Sequence, residues 1–389
     1  MSVLIHDRLG LKRNSTPGDL CRKCVIIFSA LFLFLVWGCA TKGTIIKDLQ
    51  PGQKGYPIAV LPFENLTAAS APIREIRAAL IDRLKGLGFD VLDEAALEKV
   101  ITRHRIRYVG GIDQATAQAF KTETGVEGVL LTSLEMFFES PPPKFAMTSR
   151  LVSTGEKTTI LWMDGVGVAG DDSPGVLDLG LIEDPKTLLN NALRSLSNSL
   201  AYSVRTGKGP VPGRRRQGRF EPKIAYRSSE IDPGKKYTLA IIPFINLTNR
   251  RNAGEMVVLQ FARELKKLDN LNILELGIVR QRLLNARVII QEGIALTDVD
   301  AVAINLEADF VMTGRVMDYQ DYEFPGGTPK IDFSMQILER RSRKIVWSSQ
   351  SHNAGDDEVF FFDVGRINTA HAMMGWMVRM IGRKISWKE

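Results

Sequence analysis

The chain has 389 residues, 44% of them hydrophobic and 24% charged, which gives room for two domains of ordinary size and excludes disorder throughout. The formal charge is +7, yet residues 1–38 hold five Lys/Arg against two Asp/Glu and residues 207–234 hold seven against three. The remainder is close to neutral, so the basic excess belongs to a leader and a linker and argues against a nucleic-acid-binding face. All three cysteines, Cys21, Cys24 and Cys39, lie near the N-terminus. The chain beyond them can form neither an internal disulfide nor a Cys-ligated zinc site.

Residues 1–38 read as a secretory signal. Lys12, Arg13, Arg22 and Lys23 precede an apolar stretch, Val25 to Trp37, too short to span a bilayer comfortably, and Gly38-Cys39-Ala40 follows. Val36-Trp37-Gly38-Cys39 resembles the lipobox of bacterial lipoproteins, in which the cysteine is diacylated and becomes the first residue. Cys39 is therefore the candidate lipidation site, with diacylglycerol and an acyl chain such as palmitate as covalent additions. No other cofactor is expected. Two or three acyl chains anchor where one would not. Ala40-Thr41, where an aspartate would otherwise stand, is similar to lipoproteins sent to the outer membrane. Residues 39–55 form a tether that spans at most roughly 60 Å, which keeps the first domain near its membrane.

The body of the chain is duplicated. Ile58-Ala-Val-Leu-Pro-Phe-Glu-Asn-Leu-Thr67 recurs 181 residues later as Leu239-Ala-Ile-Ile-Pro-Phe-Ile-Asn-Leu-Thr248. Each is a run of β-formers that stops at Pro-Phe and turns at Asn-Leu-Thr. A period of that size means two copies of a whole domain, here 56–206 and 235–389. After the first strand, Ile73, Ile76, Leu80, Leu84 and Leu87 mark one helix face; Phe89–Leu92 is a short strand, and Glu94–Arg103 and Gln114–Thr122 are helices. A long strand through Val129–Phe137 turns at Pro141-Pro-Pro143 into strands near Phe145–Val152 and Thr158–Val168. A helix carrying Leu189, Leu193, Leu196, Leu200 and Val204 closes the unit.

The second copy repeats this order. Val257, Phe261, Leu265 and Leu268 stand for Ile76, Leu80, Leu84 and Leu87; Phe310–Gly314 answers Val129–Ser133; Ile345-Val-Trp347 answers Ile160-Leu-Trp162; Ile367, Met374, Val378, Ile381 and Ile385 line the closing helix. Crossovers followed by a meander predict an α/β (α+β) domain, one mixed sheet with helices packed on it, in each copy. Residues 207–234, rich in Arg, Pro and Gly without periodicity, read as a linker. Its Arg214, Arg215, Arg216 and Arg219 are candidate contacts for an anionic partner, though a solvated linker is the reading preferred.

Motifs that would carry chemistry are weak. Gly165-Val-Gly-Val-Ala-Gly170 fits a dinucleotide fingerprint, but Asp171-Asp-Ser-Pro follows where a helix must begin. The histidines beyond the leader, His104, His352 and His371, lack metal-site spacing. Asp171-Asp172 and Asp356-Asp357 recur at matched places and read as caps for the closing helices. Asn65-Leu-Thr67 and Asn246-Leu-Thr248 read as turns, with the Asn side chain bonding nearby backbone. Met373, Met374, Met377 and Met380 read as core filler, and Phe360-Phe-Phe362 as buried.

The strand ending in Pro-Phe-x-Asn, the helix carrying Leu97-Glu-Lys-Val100, the Gly125-Val-Glu-Gly-Val-Leu-Leu131 strand and the meander ending in apolar-apolar-Trp together resemble the TolB N-terminal-like superfamily, whose members include CsgG, LpoB and FlgO. The resemblance covers nearly the whole mature chain, twice. It implies a non-catalytic periplasmic domain on a lipid-anchored protein of a Gram-negative-type outer membrane, one that binds envelope proteins or forms a homo-oligomer. A protein-binding scaffold in cell-envelope assembly is the reading preferred; the alternative is a CsgG-like secretion component. A pore would need surplus amphipathic strands of about nine to eleven residues, and the two meanders offer none.

Overall fold

The computed structural model describes residues 55–385, apart from 68, 174–179, 210–218, 230, 233, 288–303, 323–326 and 360–364. Contacts within the chain separate residues 1–47 from residues 48–389, and both sequence copies fall in the second unit. The signal peptide, Cys39, Arg214, Arg215, Arg216 and Phe360-Phe-Phe362 lie outside the described residues.

In the first copy β1 (Tyr56–Val60) runs parallel to its neighbours, with Ile58 opposite both Val91 and Gly128. The short strand β2 (Glu64–Asn65) and helix α1 (Ile73–Gly86) precede β3 (Phe89–Val91), and α2 (Glu94–Arg103) and α3 (Gln114–Thr124) precede β4 (Gly128–Phe138). Strands β5 (Lys144–Ser153) and β6 (Ile160–Ala169) complete an antiparallel meander, giving the order β3-β1-β4-β5-β6, and α4 (Pro185–Thr206) closes the copy. Helices α1 and α4 cover one face, where Leu80, Leu84, Leu196 and Leu200 meet Leu130 and Trp162. Helices α2 and α3 cover part of the other, packing Leu97, Val100 and Phe120 on Ala59, Val129 and Leu131. Asp93, Asp113 and Asp184 each accept a first-turn N–H, and Gly125 and Gly207, at φ +73° and +66°, end α3 and α4.

The second copy contains β8 (Tyr237–Ile241), β9 (Ile245–Asn246), α5 (Ala253–Leu265), β10 (Leu271–Ile273), α6 (Leu276–Asn285), β11 (Phe310–Gln320), β12 (Lys330–Glu339), β13 (Ile345–Ala354) and α7 (Ala370–Ile385). Its sheet runs β10-β8-β11-β12-β13, extended by a strand that precedes the copy in sequence, β7 (Ile224–Arg227). Strand β7 pairs antiparallel with β13, and Phe220 just before it is buried. Part of the expected linker is thus built into the second sheet; four residues among polar neighbours gave no strand signal. Both sheets mix parallel and antiparallel pairing, the α/β (α+β) class expected.

Three details differ from expectation. Ile58 pairs with Gly128 and Leu239 with Phe310, so Phe310–Gly314 answers Gly128–Thr132 and not Val129–Ser133. A slip of one residue exchanges the two faces of a strand, and only the pairing partner fixes it. Ile367 is buried but lies ahead of α7. The paired aspartates cap strand ends rather than helices: Asp172 accepts from the Ala169 N–H and Asp357 from the Ala354 N–H. The Asn turns hold in both copies, Asn65 Oδ1 accepting from Thr67 and Asn246 Oδ1 from Thr248, each backbone N–H at 3.0 Å. Met373, Met374, Met377 and Met380 are buried.

Helix α1 buries only Ile76, Leu80 and Leu84, whereas every residue of α5 except Glu255 is buried. Phe261 of α5 stacks on Phe244 at 5.4 Å and meets Phe333 edge-on at 5.7 Å. Phe261→Ala is expected to cost about 3–5 kcal/mol, read from urea unfolding, because the packed helix cannot collapse into the space left.

Candidate functional site

The polar groups that sequence reading left unassigned converge where the copies meet. Helices α5 and α7 of the second copy lie on their own sheet with one side and on β6 of the first copy with the other. Leu66, Ile160 and Met163 of the first copy join the second copy's core. The first sheet admits the helices through glycine. A Cβ at Gly165 would lie 2.5 Å from Arg263 Nη1, and one at Gly167 would lie 2.7 Å from His371. Glycine inside a strand marks close approach by another element, and that is the role of the Gly165-x-Gly167 pattern here.

The joint is sealed by paired buried groups. Arg150 of β5 and Glu275, ahead of α6, are 1% and 0% exposed. Arg150 Nε donates to Glu275 Oε2 at 3.0 Å and Nη2 to Oε1 at 3.0 Å, while Nη2 also donates to the Gly110 carbonyl. Glu275 accepts in addition from the Gly277 N–H as the cap of α6. Burial works against the arginine's charge, but Glu275 beside it raises the guanidinium's pKa.

A second group centres on His371, which is buried. Its Nε2 faces Arg263 Nη1 at 2.7 Å and so must accept; Nδ1–H then donates to Glu135 Oε2 at 2.8 Å. Burial pushes the Glu135 carboxyl up, yet the His371 imidazole, the Thr148 hydroxyl and Arg263 outweigh it and hold the pKa below the usual value. Glu264 is likewise buried, but the charges of Arg263, Lys267 and Arg379 bring it down to about 2. Further along, Arg250 donates to the Leu66 and Glu135 carbonyls, and Lys144 Nζ to the Tyr322 carbonyl at 2.6 Å. Asp321, with its side chain 4% exposed, sits 3.7 Å from Arg250 Nε, and burial pushes its carboxyl up to about 6.

The face that receives helices in the first copy is open in the second, among the described residues. Strand β5 is buried on both sides, but β12 alternates, with Ser334 and Gln336 half-buried on the side away from α5 and α7. Thr313, Ser334, Gln336, Ser348 and Gln350 line a shallow depression of about 410 Å³, with Ile224 of β7 at its edge. Pairing register matches Gly165 and Gly167 to Gln350 and His352, so long side chains occupy the positions that glycine leaves empty in the first copy.

Of the candidate anion contacts and the lipidation site named above, only Arg219 is among the described residues. It is 8% exposed, its guanidinium donates to the Gly355 and Gly365 carbonyls, and it lies 4.5 Å over the Phe220 ring. Its charge is used to anchor the chain entering β7. His104 bonds Glu123 at 2.6 Å, and His352 is exposed. Among the described residues no helix is long and apolar enough to cross a membrane, and no group of three or more His, Cys, Asp and Glu side chains is placed to hold a metal ion.

No protein-family model matches the chain, and no curated protein matches it. Solved structures with a similar fold include the PelC dodecamer from Paraburkholderia phytofirmans, at 13% identity and TM-score 0.28, covering 40% of this chain and 96% of that one. Lipoprotein GNA1162 from Neisseria meningitidis matches at 18% identity and TM-score 0.26, over 37% of this chain and 99% of that one. The LpoB C-terminal domain from Escherichia coli matches at 16% identity and TM-score 0.22, over 30% and 82%.

Two measurements probe the joint. Arg150→Ala is expected to cost about 3–5 kcal/mol in chemical unfolding because it strands Glu275, whereas Arg150→Met with Glu275→Leu recovers most of that loss. Asp321 has a folded pKa of about 6, above its unfolded value, so it favours the fold below about pH 4 and the benefit fades as pH rises through 6. Relative to Asp321→Asn, the wild type is expected to lose about 3 kcal/mol between pH 4 and pH 7 in unfolding titrations.

Proposed function

We propose that the chain is a lipid-anchored envelope lipoprotein that acts as a non-catalytic protein-binding scaffold on the periplasmic face of an outer membrane. The observation that carries this reading is the open sheet of the second copy. The same fold surface is filled by helices in the first copy, which supports reading it as a surface that packs against protein. Its serines, threonine and glutamines offer donors and acceptors to a polar partner, and β7 presents Ile224 and Tyr226, 66% and 54% exposed, on the outermost strand. The titratable groups buried at the joint are engaged with one another, an arrangement that serves cohesion more readily than turnover. The long strands of both meanders are used in the two sheets, which favours the scaffold over a secretion pore. The leader ending in Gly38-Cys39 supports the anchor.

In envelopes, Cys39→Ser is expected to move the protein from the membrane fraction to the soluble one. A photo-crosslinking residue at Gln336 or Gln350 is expected to capture a partner protein that the same residue at Asp82 of α1 does not. Equal capture at all three positions would remove the open sheet from the proposal, and retention of the Cys39→Ser protein in membranes would remove the lipid anchor.

A further inference from the structure

A small cavity opens where the two Pro-Phe-x-Asn motifs approach each other. Glu64, the variable position of the first motif, lines one side with Tyr108, and Pro243 of the second motif lines the other. The walls are apolar, from Val258, Leu259 and Leu276. Its volume is about 80 Å³, room for about five waters or for the end of one alkyl chain with a polar head.

The charges lining it do not balance. Glu64 and Glu255 bring two carboxylates, and Arg280 brings one guanidinium, placed over the Tyr108 ring at 4.3 Å. Arg150 close by is already matched by Glu275. Among the described residues neither Glu64 nor Glu255 has an ion-pair partner within 4 Å; the Glu64 carboxylate accepts one hydrogen bond, from Ser133 Oγ at 2.7 Å. Room for that carboxylate is built in, because a Cβ at Gly110 would sit 2.1 Å from Glu64 Oε1. Burial pushes the Glu64 carboxyl up, with Glu255 adding to the rise and Ser133, Arg150 and Arg280 opposing it, so the group gains from a cation brought to it. The equivalent position in the second copy is Ile245, which lines the open sheet instead.

We propose that this cavity binds one cationic group carried on an alkyl stem, an ammonium or guanidinium, with Glu64 as the inner counter-ion and the exposed Glu255 as the outer one. The stem lies along Val258, Leu259 and Leu276, which suits the apolar chain of a lysine or arginine side chain or of a free alkylamine. The cavity is separate from the open sheet, so its ligand neither requires nor excludes a partner there.

The test uses the full chain in detergent and ligand-detected NMR titration with n-butylammonium and n-butylguanidinium, against n-pentanol as the neutral counterpart. Saturable binding of at least one cation is expected, with no comparable binding of the alcohol. Glu64→Gln should weaken it at least tenfold. Glu255→Gln, at an exposed position that leaves the core untouched, should weaken it several-fold, and Arg280→Ala should strengthen it by removing the competing charge. A short lysine peptide that binds more tightly than the free amine, and loses that advantage on acetylation of the lysine, identifies a protein side chain as the ligand; equal affinities identify a small amine. Absence of saturable binding by both cations, equal binding of n-pentanol, or wild-type affinity in Glu255→Gln together with a folded Glu64→Gln overturns the proposal.

Discussion

The pairing of Arg150 with Glu275 is the constraint on which the rest of the arrangement depends. A fully buried guanidinium and a fully buried carboxylate are each costly alone, so wherever one goes the other must follow with its geometry kept. Arg150 belongs to the first sheet, and Glu275 caps a helix of the second copy. The pair therefore fixes the position of one copy on the other and not only the distance between two atoms. Apolar packing alone tolerates sliding; a bidentate contact that also uses the Gly110 carbonyl does not.

With that position fixed, the differences between the copies follow. Helix α5 lies between two sheets, so all of it but Glu255 is buried, with Gln260 bonded to Glu135 of the first copy and Arg263 to His371 of its own. Its counterpart α1 faces solvent on one side and keeps exposed Arg74, Glu75, Asp82 and Lys85 there. The glycines of β6 and the buried His371 belong to the same contact, one clearing space that the other fills. Strand β7 belongs to the second copy alone.

Much of the single-copy fold was legible because it rests on periodicity and turn chemistry. Ile76, Leu80 and Leu84 declare a helix face, Asp93 and Asp184 its start in two other helices, and the Asn-Leu-Thr turn repeats with the same bonds. What escaped was long-range. His371 carries no local signal, since its partners Glu135 and Arg263 lie 236 and 108 residues away. The one available hint was Gly165-x-Gly167, glycine inside a strand, which announces that something packs there without naming it. The all-apolar run Met256-Val-Val-Leu259 was a second hint, since a helix that is apolar all round is buried all round. The contacts of Arg219 were hidden for the same reason: an arginine in a basic stretch looks solvated until its carbonyl partners, 136 and 146 residues away, are brought to it.

The filling of the second sheet's glycine positions by Gln350 and His352 has a consequence for how duplicated domains grow. A contact that joins the helices of one unit to the sheet of the previous one is directional, and a directional contact repeated without change builds an open-ended stack. Here the matching face of the second sheet carries side chains where the first presents bare backbone, so the contact is not repeated in the same form. A sheet face so filled cannot take the helix pair that the first sheet takes, and its side chains are free to suit a surface of another kind.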